Sequence, residues 1–118
     1  MRLAIAIDEF GRMICSAQHG GSEAVITAAD TGGAAVALSR AVDELSESDA
    51  SECYWRGETG DYRWVFRRAG NAVRIAILWS TGTLTGWEHV FWAECDCADF
   101  QQQAREQLST VSICFRIS

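Results

Sequence analysis

The sequence predicts an α+β domain, a single antiparallel β-sheet of about five to six strands with two helices packed on one face. Three observations predict it. Apolar residues alternate with polar or small ones at period two near the start of the chain and again through its second half. The densest such run, DYRWVFRRAGNAVRIAILWS at residues 61–80, is broken at its centre by Gly70-Asn71, a two-residue loop with glycine first. That is the requirement of a type II′ hairpin turn. Two further stretches instead carry apolar residues at steps of three and four, the helical spacing.

In chain order, Leu3, Ile5 and Ile7 mark a strand over residues 2–8, and residues 12–18 return as its partner after Glu9-Phe10-Gly11. His19-Gly20-Gly21-Ser22 breaks the pattern, and residues 23–27 offer a third short strand. Asp30 is placed to cap a helix over 31–47, with Ala35, Leu38, Val42 and Leu45 as its buried stripe. A polar, acidic connector leads to residues 53–56, a strand or an extended lead-in, and then to a turn at 57–60. After the hairpin, residues 81–85 turn the chain into another strand over 86–96. Asp99 and Gln102 have the spacing of a capping box for a helix over about 98–110 that buries Phe100, Ala104 and Leu108. The tail alternates strictly at Val111, Ile113, Phe115 and Ile117, as a last strand would; a helix continued to Phe115 fits nearly as well.

Length and composition fit one domain over residues 1–118, with 48% hydrophobic residues to build its core. No apolar run approaches the roughly 18 residues of a membrane span. Asp8 and Glu9 interrupt the first apolar stretch too early for a signal peptide, so a cytoplasmic location is expected. Five cysteines, an odd number, cannot close a disulfide framework without one left over. All ten basic residues are arginine, and the net charge is −6. Residues 1–60 hold ten acids against four arginines, whereas 61–118 balance six against six. That acidity argues against binding a nucleic acid backbone and permits a basic protein partner.

Closing the hairpin at Gly70-Asn71 sets its faces. Phe66–Ile75, Trp64–Ile77 and Tyr62–Trp79 form a core face; Arg67–Arg74, Val65–Ala76, Arg63–Leu78 and Asp61–Ser80 form the other. A five-residue turn at 81–85 then adds Trp87, His89, Phe91 and Ala93 to the core face. Glu88, Val90, Trp92 and Glu94 join the arginine face, with Trp92 beside Arg74 for a cation–π contact and the glutamates screening the arginines. The result is an apolar strip rimmed by charge, either covered by this chain or used as an interaction surface. Arg63, Arg67, Arg74 and Trp92 are its binding candidates. A second candidate surface is the acidic run Asp43, Glu44, Glu47, Asp49 and Glu52, which opposes the macrodipole at the end of the first helix.

Catalytic and metal chemistry is sparse. Cys95 and Cys97, with His89 and Cys53, offer zinc-type ligands, but the spacing is not that of a structural zinc knuckle, and buried cysteine is the commoner reading. Cys15 with His19 is the one nucleophile–base pair the sequence suggests. There is no nucleophile elbow, phosphate loop or dinucleotide fingerprint, and no cofactor is expected.

The stretch GDYRWVFRRAGNAVRIAILW, at residues 60–79, resembles a pattern in small, acidic bacterial immunity-type proteins, the partners encoded beside polymorphic toxins. The likeness extends over about Gly60 to Phe100, and Tyr62-Arg63-Trp64 and Ile77-Leu78-Trp79 are its most specific parts. It implies a non-enzymatic protein that binds a cognate toxin one to one and blocks or distorts its active site. Such proteins share no catalytic residues to carry over, and acidic members commonly face basic toxins. The alternative is a structural or regulatory module that self-associates through the same sheet face.

Overall fold

The computed structural model describes residues 1–57, 59–82 and 86–117, with 112–117 described for the backbone only. Strands β1 (Arg2–Ile7), β2 (Met13–His19) and β3 (Ser22–Ala28) precede helix α1 (Thr31–Glu44). Strands β4 (Ala50–Arg56), β5 (Asp61–Ala69), β6 (Ala72–Ser80) and β7 (Glu88–Asp96) then lead into helix α2 (Cys97–Ile117). The fold is α+β and every strand pairing is antiparallel, but the strands form two sheets rather than the single sheet expected: β1-β2-β3 and β4-β5-β6-β7. The reason lies at β3. Its start touches β7 through a side chain, the Trp92 amide donating to Ser22 Oγ at 3.4 Å. Just past its end, the Ala29 amide donates to the Arg56 carbonyl at 2.8 Å, at the far edge of the second sheet. β3 therefore runs across from β7 toward β4 and cannot extend either ladder.

The two tight, two-residue hairpin turns, β2–β3 and β5–β6, follow from glycine. Gly70 has φ +60° and Gly20 has φ +57°, while among the described residues no non-glycine residue has positive φ. Positive φ at the first loop position alone is the type II′ pattern, which matches the twist of the flanking strands. His19-Gly20-Gly21-Ser22 is thus the β2–β3 turn, with His19 opposite Ser22.

Helix α1 starts where expected, with the Asp30 carboxylate accepting from the Gly33 amide at 3.1 Å. It ends at Glu44, short of residue 47, because the chain tightens into i,i+3 bonds: the amides of Ser46 and Glu47 donate to the carbonyls of Asp43 and Glu44. The acidic end is satisfied from outside the helix. Arg68 Nη1 donates to the Leu45 carbonyl at 2.6 Å, placing a cation where the macrodipole favours one. The buried Gln101 of α2 donates to the Val42 carbonyl at 2.9 Å and to Ser46 Oγ at 3.0 Å. Gln101→Ala is expected to cost about 1–2 kcal/mol, since it removes both bonds of the buried amide and leaves the Val42 carbonyl only the Leu45 amide at 3.3 Å. A urea titration unchanged from the parent protein would refute this role.

The cap of α2 is Asp96, one turn earlier than the expected capping box. Its carboxylate accepts from the Asp99 amide at 3.0 Å, and the Cys97 amide donates to the Asn71 carbonyl at 2.7 Å. The chain stays helical to Ile117 and forms no terminal strand. Phe100, Ala104, Leu108 and Val111 are all buried, so the three- and four-residue stripe prevails over the period-two pattern of the tail. Two glutamines of α2, four residues apart, cover the open edge of β1. Gln103 Oε1 accepts from the Leu3 amide, and Gln107 Oε1 accepts from the Ile5 amide at 2.9 Å. An edge strand so covered cannot template pairing with another chain.

Both helices lie against the inner face of the β4–β7 sheet. Ser51 Oγ donates to the Ala41 carbonyl of α1 at 2.8 Å, and Phe100 of α2 meets Phe66 with ring centroids 5.5 Å apart. Trp55, Trp64, Phe66 and Phe100 form the aromatic spine of the core, and Leu3, Ile5, Met13, Cys15 and Ile26 close it from the first sheet.

Candidate protein-docking face

The inner face of the β4–β7 sheet is filled, so the functional question falls on its outer face. The β5–β6 register pairs Arg67 with Arg74, Val65 with Ala76 and Arg63 with Leu78, as the turn chemistry predicts. β4 adds Glu52 beside Val65 and Tyr54 beside Arg63. β7 lies two residues along from its expected register and carries an irregularity between Ile77 and Leu78. Phe91 and Ala93 keep their inner positions, opposite Ile77 and Ile75.

The irregularity changes the rest. His89 stands opposite Leu78 and is exposed, so it is not a core histidine; Glu88 stands opposite Trp79 and leaves the arginine face. Trp92 is opposite Ala76, and Glu94 takes the place beside Arg74, with an ion pair at 3.4 Å. The cation–π contact of this face is accordingly Arg63 with Tyr54, at 5.9 Å, rather than Arg74 with Trp92. Trp87, expected in the core, is 42% exposed with its ring 6.2 Å from that of Tyr54.

These positions build a trough. Its floor is the half-buried Val65 and Ala76, with Leu78 already buried; Trp92 stands on the β7 side, 51% exposed, and Tyr54 with Trp87 on the β4 side. Three inter-strand steps put roughly 14 Å between β4 and β7. Ion pairs stiffen the rim. Arg63 Nη2 donates to Glu52 Oε2 at 2.6 Å, which holds the Glu52 carboxyl below the ordinary glutamate range and raises Arg63 in return. Tyr54 and Trp87 escaped the sequence reading. Tyr54 could have been found by parity, since it alternates with the buried Cys53 and Trp55. Trp87 could not, because it lies just before the irregular strand.

The five acidic candidates do not form one surface. Asp43, Glu44 and Glu47 border a groove of about 530 Å³ between the helices, with Ala35, Val36 and Leu108 among its lining. Asp43 there pairs with Arg105 at 3.0 Å. Asp49 lies in the exposed connector, its carbonyl accepting from the Arg68 amide, and Glu52 belongs to the outer sheet face. Adjacency in sequence misleads here because the chain passes from helix end to strand within these ten residues.

The four described cysteines, Cys15, Cys53, Cys95 and Cys97, are placed as packing groups. Cys15 and Cys53 are buried, and burial pushes both thiols up to about 12. Cys15 therefore has no thiolate to offer His19 at neutral pH. Burial also raises Cys95 and Cys97, while His89 points to the outer side. Among the described residues no group of three His, Cys, Asp or Glu side chains is placed to hold a metal ion. The buried thiols give a pH prediction. Above a pH of about 9 the unfolded chain releases protons that the native core retains, so stability falls as pH rises toward about 12. The expected slope is about 1.4 kcal/mol per pH unit for each thiol. Denaturation midpoints across this range should show it, and a Cys15→Ala, Cys53→Ala variant that kept the full slope would contradict the assignment.

Comparison with family models, with curated proteins and with solved structures gives no match. Among the described residues, no helix is long and apolar enough to cross a membrane.

Proposed function

We propose that this chain is a non-enzymatic protein-binding domain whose docking face is the outer surface of the β4–β7 sheet. The observation that supports it best is the trough itself: three aromatic side chains stand 42–54% exposed around an apolar floor on a rigid sheet. Large exposed aromatics beside arginine are the composition of binding hot spots, and a soluble domain gains nothing in stability by wetting them. In its most concrete form the domain is a cytoplasmic immunity protein that neutralises a cognate bacterial toxin by occluding its active site. The acidic surface at the end of α1 would then speed encounter with a basic toxin, since charge acts on association at long range.

The test is co-expression with the product of the neighbouring gene, followed by calorimetry of the purified pair. A one-to-one complex is expected. Trp92→Glu should weaken it about thirty-fold or more, as removal of a central hot spot does. Failure of the pair to bind, together with no protection of cells that express the neighbouring protein, would sink the immunity reading.

A further inference from the structure

Resting on that docking face, we infer that its occupant is an apolar segment of a partner protein carrying a carboxylate, which pairs with Arg67. The inference comes from the charges left over on this face. Arg63 is matched by Glu52, and Arg74 by Glu94. Arg67 sits directly opposite Arg74, and its guanidinium donates only to the Phe66 carbonyl, at 2.9 Å. Among the described residues it closes no ion pair: the nearest carboxylate to act on it, Glu52, does so only at longer range and is already bonded to Arg63. Two guanidiniums face each other here, and the two glutamates nearby are each bonded to another arginine or to only one of the pair, which is unfavourable for cross-strand neighbours. A carboxylate arriving from outside would remove that conflict and form a charge-assisted bond.

The same count argues against a second copy of this chain. Glu52 and Glu94 are engaged with their own arginines, so a face-to-face dimer would bring two uncompensated guanidiniums together. The dimensions set the form of the segment. A trough of roughly 14 Å between its outer strands takes one helix, about 10–12 Å across, or one extended strand. Its apolar side chains would lie on Val65 and Ala76 and against Trp92, with the acid at the Arg67 end. The partner can still be basic overall: its field would be read by the acidic end of α1, and its contact residue by Arg67.

The probe is a random peptide library displayed on phage and panned on the full chain, with recovered peptides synthesised and titrated by fluorescence anisotropy. Enriched sequences should combine two or three apolar residues with Asp or Glu. Arg67→Gln should weaken them about ten-fold or more, with the weakening diminishing at high salt; Arg67→Lys should restore part of the affinity. Gln102→Ala, exposed on α2 away from this face, should leave binding unchanged. Peptides lost with Trp92→Glu but indifferent to Arg67→Gln would overturn the inference while leaving the docking face standing. Enrichment of basic peptides, no enrichment at all, or a dimer of the free chain broken by Trp92→Glu would overturn it too. Circular dichroism of each variant separates lost binding from lost fold.

Discussion

Trp64→Ala is expected to lower the unfolding free energy by about 3–5 kcal/mol. A domain of this size has only about 5–15 kcal/mol to lose. Trp64 is wholly buried, with its ring 5.1 Å from that of Trp55 and 6.0 Å from that of Phe66. Truncation would open a void in the middle of the aromatic spine, where strands on both sides limit collapse. The indole makes a second, opposite prediction. Its Nε1 is buried and has no hydrogen-bond partner among the described residues, and the same holds for Trp55. A buried unpaired donor costs about 1–3 kcal/mol. Trp64→Phe removes that donor while keeping an aromatic ring, so the two changes offset and the net loss should be about 1 kcal/mol or less. Urea midpoints of the two variants decide it. If phenylalanine costs as much as alanine, the indole N–H has a partner in solution and is not an orphaned donor.

What the sequence carried was local. The β5–β6 pairing was legible residue by residue because Gly70 can take the positive φ of a type II′ turn, and the turn fixes every pair above it. The cap at Asp30 was legible for a similar reason, a short polar side chain before a periodic stretch. The number of sheets was not, because it depends on where β3 goes after its own hairpin. That path is set by contacts of Ser22 and Ala29 with residues 70 and 27 positions away. The far register of β7 failed on one irregularity, which alternation alone does not encode, and with it went the placement of Trp87 and His89. The docking face was half legible. Arg63, Arg67 and Arg74 fall on it by parity, as expected, and so does Trp92, though beside Ala76. Proximity in sequence groups Glu52 with the helix acids; strand parity puts it against Arg63 instead.

The second large effect is expected at a position with no side chain. Gly60→Ala should destabilise the protein by about 3 kcal/mol, at the upper end of what overpacking costs. A Cβ on Gly60 would stand 2.5 Å from the Ser80 carbonyl oxygen and 2.8 Å from Trp79 Nε1. Neither neighbour yields easily. Ser80 is backbone paired with Asp61 in the β5–β6 ladder. Trp79 is held in the same ladder opposite Tyr62. The turn cannot move away either, because the Gly60 carbonyl accepts from the Gly57 amide at 2.9 Å, and a Cβ on Gly57 would itself stand 2.5 Å from that oxygen. Gly21 is the control. It has open space around its Cβ position and no positive φ, so Gly21→Ala should be neutral or stabilising by about 0.4–1 kcal/mol through the unfolded chain. Thermal melts of the two alanine variants should therefore move apart in opposite directions. Equal melting temperatures would mean that the β4–β5 turn is looser than its contacts with Trp79 and Ser80 require. Gly60 opens the stretch that carries Trp64 into the core and Arg67 to the docking face. Gly60→Ala should therefore weaken partner binding as it lowers stability, whereas Trp92→Glu should weaken binding alone.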